Sequence, residues 1–293
     1  MNALKRYFNQ VSSDFYRLLH MKSLYIGLGI TVLMVLIVAL AQNALSEFIL
    51  NADFNQGVEE INPDEIKNSI AFMVLSGAPN AAGVYFLTPI IIAIFIGAEF
   101  SGGTMRLYIG RGANKAEIYF SKFTVSFAVV LFYTLFSFLA CFIAALGMGM
   151  SNAFFSTYSA SLSKAFGAYI LLALTAASIY TAISFLVRSK AGNVGILLAM
   201  HIVIGSVLVT IIHAALGMTA GATAESFRYM YLNPYYCMSA VASIGSMKSA
   251  DIGLALGGAA MWSVLFTVAG LIPTLKRDVK SVSYTHLRAH ETL

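Results

Sequence analysis

The chain alternates between long apolar runs and short polar intervals, and six of the runs are long enough to cross a lipid bilayer. A hydrocarbon core of about 30 Å needs roughly 20 apolar residues in helical form. Stretches of that kind run approximately over Ser23–Leu45, Ala81–Ala98, Phe123–Leu146, Ala165–Val187, Val194–Leu216 and Ile252–Leu275. The second is the shortest and carries Pro89, whose ring removes one helical hydrogen bond and predicts a kink. The pattern predicts an all-α, polytopic membrane protein of six transmembrane helices.

Between the spans the period changes. At about 100° per residue, Leu4, Phe8, Val11, Phe15, Leu18 and Leu19 share one arc, and Lys5, Arg6, Asn9, Ser13 and Arg17 lie off it. This predicts an amphipathic helix over residues 1–22 lying in the cytoplasmic interface, apolar face in the lipid and basic residues near anionic headgroups. A cytoplasmic helix docked on protein is the other placement the residues allow. Asn62-Pro63-Asp64-Glu65 is a helix start, with Ile66, Ile70, Met73 and Val74 as its apolar face and Gly77 and Pro79 ending it. The external loop 46–80 therefore holds a short helix. The external loop 217–251, with Asn233-Pro234-Tyr235-Tyr236, is too interrupted to span yet apolar enough to dip into the outer leaflet or the protein. Gly253 and Gly257 form a small-xxx-small pair suited to close helix packing within the bundle.

Charge orients the spans. Only 11% of residues are charged, against about 25% in soluble domains, which excludes a water-soluble enzyme and a disordered chain. Of the 18 Lys and Arg residues, 14 fall on the side of the N-terminus, the 99–122 and 188–190 loops and the C-terminus. The positive-inside rule then puts both termini in the cytoplasm, and the basic balance needs no nucleic-acid partner. The first external loop is acidic instead, with Asp53, Glu59, Glu60, Asp64 and Glu65. The first span reads as a retained helix, because its apolar run is too long for a signal peptide and lacks a small-residue cleavage site. Residues 23–282 form the membrane domain, and 283–293 read as a non-native tail resembling translated adaptor sequence.

Catalytic chemistry has little support. The P-loop, H-E-x-x-H, C-x-x-C and G-x-S-x-G patterns are absent. Cys141 and Cys237 suggest neither a disulfide framework nor a metal cluster. His201 and His213 sit about 120° apart on one straight helix, which suits helix–helix hydrogen bonds better than a shared metal. Catalytic, cofactor-binding and metal residues are therefore none. Span three is aromatic, with Phe127, Phe132, Tyr133, Phe136 and Phe138, which suits either a substrate path or lipid-facing packing.

The informative stretch is loop 99–122. A span ends at Glu99, Gly102-Gly103 make a turn, a short helix follows, Gly110 and Gly112 break it, and Asn114 with Glu117 starts span three in a capping-box-like way. The residues Glu99-Phe100-x-x-Gly103-Thr104-x-Arg106 and Gly112-x-Asn114-Lys115-x-Glu117-Ile118-Tyr119-x-Ser121-Lys122 resemble the signature of ABC-2-type transporter permeases. The six-span layout, the basic amphipathic N-terminus, Asn233-Pro234-Tyr235-Tyr236 before the last span and Lys276-Arg277-Asp278 agree with it. Gly103 before Thr104 and the Gly110/Gly112 pair depart from the pattern by making the loop glycine-rich. The resemblance implies a permease subunit of an ATP-binding-cassette exporter in a bacterial plasma membrane. It would pair with a second permease, as a homo- or heterodimer, and with a separate ATPase that binds the ATP and Mg. It implies a coupling helix from about Thr104 to Ile109, framed by Glu99 and Arg106, with Gly103, Arg111, Lys115 and Glu117 completing the loop, and an amphipathic peptide, drug or lipid as substrate. An ATP-independent secondary transporter or channel is the alternative, and a membrane-embedded enzyme a third reading.

Overall fold

The computed structural model describes residues 3–51, 62–217, 228, 230–241, 244 and 247–276, and every regular element among them is helical. In chain order these are α1 (Ala3–Leu19), α2 (Lys22–Asn51), α3 (Pro63–Ser76), α4 (Ala78–Ala81), α5 (Val84–Ser101), α6 (Thr104–Gly110), α7 (Lys115–Gly147), α8 (Phe154–Val187), α9 (Lys190–Met200), α10 (Leu208–Gly217), α11 (Pro234–Ala240) and α12 (Ser249–Lys276). A π-helical segment, His201–Val207, joins α9 to α10. Six helices are long and apolar enough to cross a membrane: α2, α5, α7, α8, α12 and the run Lys190–Ile212. Spans three and four start earlier than the hydropathy predicted, because α7 and α8 each begin with about two turns of mixed polar and apolar residues before the apolar run. Asn114 caps α7, its side chain accepting the Ala116 N–H at 3.0 Å.

The bundle is built around α8, the most buried span, which packs most extensively on α12 and next on α7. Glycines set the closest approaches. A Cβ at Gly270 would lie 2.7 Å from the Ala182 Cα, and one at Gly97 would lie 2.7 Å from the Lys190 Cα. The Gly253/Gly257 pair does not pack within the bundle as predicted. Both face outward, with nothing within 4 Å of an added Cβ. Gly258 and Gly270 make the close contacts on that helix instead.

Pro89 leaves the Tyr85 carbonyl without its usual N–H partner, since a helical N–H bonds four residues back. The buried Tyr180 hydroxyl on α8 donates to that carbonyl at 3.4 Å. Tyr180→Phe should therefore cost about 1 kcal/mol, read as a lower unfolding midpoint in detergent. In a Pro89→Ala background the N–H returns and the cost should shrink. An equal cost in both backgrounds would disprove the compensation.

Near the α7–α8 turn, α3 begins as predicted, with Asn62 capping the Asp64 N–H at 3.0 Å and Pro63 in the first turn. Ile70 and Val74 are buried, but Met73 is exposed. Asn68 fastens α3 to the α7–α8 turn through both Ser151 Oγ and the Ser151 N–H. Asp53, Glu59, Glu60 and the tail 283–293 lie outside the described residues. The Asn233–Tyr236 stretch tucks into the protein, with Tyr235, Cys237 and Met238 buried. Asn233 caps α11 through the Tyr235 N–H at 3.0 Å and donates to the Ile204 carbonyl in the π segment at 3.4 Å. Trp262 on α12 donates to the Leu232 carbonyl at 2.7 Å.

Candidate functional site

The loop between α5 and α7 folds into a short helix pressed against the ends of the spans. Gly103 and Gly112 take φ of 73° and 84°, the left-handed region that favours glycine, and both have open space around an added Cβ. Conformation, not crowding, thus calls for glycine there. Between them α6 runs from Thr104 to Gly110, one residue beyond the expected end. Met105 is buried and Tyr108 and Ile109 are half-buried against the bundle. Arg106, Leu107 and Arg111 point outward, Leu107 with 61% exposure. The outward face is one apolar side chain between two guanidinium groups.

Beneath it lies a buried charge cluster. Lys122, about two turns into α7 and just before its apolar run, is wholly buried with Asp14 of α1 and Glu99 of α5. Its ammonium donates to Asp14 Oδ1 at 2.5 Å and to Glu99 Oε1, and lies 4.8 Å from the centre of the Phe95 ring. Ser121 Oγ donates to Asp14 Oδ2 at 2.6 Å, and Arg17 to Glu99 Oε1 at 2.5 Å. Burial works against the Arg17 charge, but Glu99, helped by Tyr108 and Asp14, outweighs it and holds the guanidinium pKa above its ordinary value. Two carboxylates and two cations make the cluster neutral, which is how charges tolerate such a site. Buried ion pairs are weak sources of net stability, yet their geometry selects one arrangement of the elements that supply them. Here those elements are α1, α5 and α7, and Tyr108 brings in α6, 3.5 Å from Arg17 Nη1.

This cluster shows what the polar edge of α1 meets. Arg6 and Arg17 pair with Glu117 at 3.0 Å and with Glu99. The helix docks on protein by its polar edge, Tyr7 bonding Thr124 at 2.6 Å. Leu4, Phe8 and Leu19 of the apolar arc stay exposed, so the same helix can dock and still present an apolar face to lipid.

The residues of the loop signature therefore divide. Glu99, Glu117 and Lys115 turn inward or sideways to hold neighbouring helices, Lys115 donating to the Leu275 carbonyl at 3.3 Å. Thr104 opens α6, and Arg106 and Arg111 face outward. Of the two residues expected to frame the helix, Glu99 is wholly buried and Arg106 is exposed. Asp14, Arg17 and Lys122 also belong to the cluster: Lys122 ends the permease-like loop pattern and Arg17 stands on the polar face of α1, whereas no motif marks Asp14. A lone acid on a basic amphipathic helix was the available signal. Span three's aromatics do not line one path: Tyr133 is buried and donates to the Leu24 carbonyl at 2.6 Å, whereas Phe132 is 47% exposed. His201 meets the Phe86 and Tyr235 rings edge-on, and the His213 side chain lies outside the described residues. Among the described residues no group of three or more His, Cys, Asp or Glu is placed to hold a metal.

Fold and hydropathy together define a helical, multi-pass membrane protein with six candidate spans. No family model matches the chain, and no curated protein matches it.

Proposed function

We propose that this chain is the permease subunit of an ATP-binding-cassette exporter in a bacterial plasma membrane, working with a second permease subunit and a separate ATPase. The observation that carries the reading is α6, whose Arg106–Leu107–Arg111 face is free while its other face rests on the span ends and, through Tyr108, on the buried cluster. A short element of this kind can pass a push from a cytoplasmic partner into α5 and α7 as a rigid-body movement. The partner must bind the two states of the bundle differently for the push to be transmitted. The substrate class suggested by the resemblance is an amphipathic peptide, drug or lipid.

The test is co-purification with any ATP-binding-cassette subunit encoded beside it, followed by an ATPase assay. Arg106→Glu with Leu107→Asp should abolish retention of the ATPase while the protein still inserts and folds, because both side chains are exposed. Thr104→Pro is a poor probe, since proline is tolerated in the first turn of a helix. If no ATPase accompanies the unaltered protein, the exporter reading fails.

An ion-coupled carrier is the second reading. Glu99 favours it, for its Oε2 is buried within a span and has no hydrogen-bond partner among the described residues. Transport driven by a pH gradient without ATP, and lost in Glu99→Gln, would select it.

A further inference from the structure

Span five carries one irregular stretch, and that stretch leaves a particular backbone group without its helical partner. In an α-helix the Leu208 N–H would donate to the Ile204 carbonyl, four residues back. At the end of the π segment it donates instead to the Val203 carbonyl, five residues back. The Ile204 carbonyl thereby loses its α-helical donor within a candidate span, where no bulk water replaces it. Asn233, 29 positions away in the chain, supplies a donor through Nδ2 at 3.4 Å. The same side chain accepts the Tyr235 N–H through Oδ1 at 3.0 Å, so one amide joins the cap of α11 to the π segment.

A second contact acts on the same turn. An added Cβ at Gly205 would lie 3.2 Å from the Tyr235 Cβ, so Tyr235 packs closely on the π segment. Its ring meets that of His201, the first π residue, edge-on with centroids 5.6 Å apart. The α11 stretch is held from its other sides by Trp262 of α12 on the Leu232 carbonyl and by Asn80 of α4 on the Met238 carbonyl. Rewound as α-helix, the segment would return the Leu208 N–H to Ile204 and leave no free carbonyl for Asn233. A π turn holds one residue more than an α turn, so rewinding turns α10 by about 100° relative to α9 and lengthens the span by about 1.5 Å. Span five has room to turn, since it is the least buried of the six candidate spans, with Val207 and Ile211 exposed. Because α11 fits one winding better than the other, docking and winding are linked.

We propose that the π segment is a two-state joint in span five, latched by α11. With Asn233 and Tyr235 docked, the π winding is stabilised; when α11 withdraws, His201–Val207 rewinds as α-helix and turns α10. The inference does not depend on the exporter reading.

The experiment uses the full chain in nanodiscs, with a spin label at Ile211→Cys and a second at Val264→Cys on α12 or Leu139→Cys on α7. All three positions are exposed and both natural cysteines are buried. Pulsed electron resonance reads the distances. The one tryptophan, Trp262, reports α11 independently through its emission, because its ring N–H rests on the Leu232 carbonyl. Asn233→Ser keeps a capping oxygen but is too short to reach Ile204. Gly205→Leu drives Tyr235 off the π turn by contact. In both, the emission should shift and the Ile211 label should move by up to about 8 Å, the chord of that turn at the side-chain radius. Gly195→Leu, on α9 with open space around it, should change neither reading. Shifted emission with unchanged distances would mean that α11 leaves a segment which keeps its winding, and would overturn the proposal. Unchanged emission in Asn233→Ser would do the same, since the amide would then not be the latch.

Discussion

Lys122→Met is expected to lower stability by about 3–5 kcal/mol and to free α1 from the bundle, because it strands Asp14 and Glu99 as buried carboxylates without their shared cation. Asp14 keeps only Ser121, and Glu99 keeps Arg17. Neither can turn to water without moving α1 off α7. Thermal unfolding in detergent reads the first effect, and limited trypsin cleavage at Arg6 and Arg17 reads the second. A double variant, Asp14→Asn with Lys122→Met, leaves Glu99 paired with Arg17 and the cluster neutral, and should regain much of the loss. A single-variant cost under about 1 kcal/mol would mean that the cluster is solvated and does not hold α1.

Gly270→Leu should be comparably damaging, with a loss of about 3 kcal/mol or more or failure to accumulate in the membrane. An added Cβ meets the Ala182 Cα at 2.7 Å, the Ala182 Cβ at 2.8 Å and the Tyr119 hydroxyl at 2.5 Å. Two of these atoms are part of or bonded directly to the α8 backbone, so a side-chain rotation cannot relieve them. α12 would have to part from α8 along the most extensive helix contact of the bundle. Gly253→Leu on the same helix is the control, since it faces open space and should be tolerated. Equal expression and equal unfolding midpoints for the two variants would disprove this close approach as a determinant of the fold.

Much of the architecture was legible in the residues. Hydropathy located six spans, and Asn62-Pro63 and Asn114 located helix starts that the structure retains. The limits appear at particular places. The π segment His201–Val207 leaves no mark in a hydropathy profile, because its insertion keeps the same apolar composition. The Gly253/Gly257 spacing matched a packing motif, yet Gly258 and Gly270 are the glycines against which other elements press. A spacing rule states which residues share a face, and which face meets a neighbour depends on how each helix is rotated in the bundle.

The candidate site divides along the same line. Local chemistry determined the spans and a glycine-bounded helix at Thr104–Gly110, since each follows from transfer of apolar residues out of water or from backbone freedom within a few positions. Only the tertiary structure decided that Glu99 faces inward while Arg106 faces outward, and that Lys122 serves both Asp14 and Glu99. Asp14 and Lys122 are separated by 108 positions and Glu99 and Lys122 by 23. Their attraction acts through space at a few ångströms, and no periodicity along the chain encodes which distant charge a buried charge will meet.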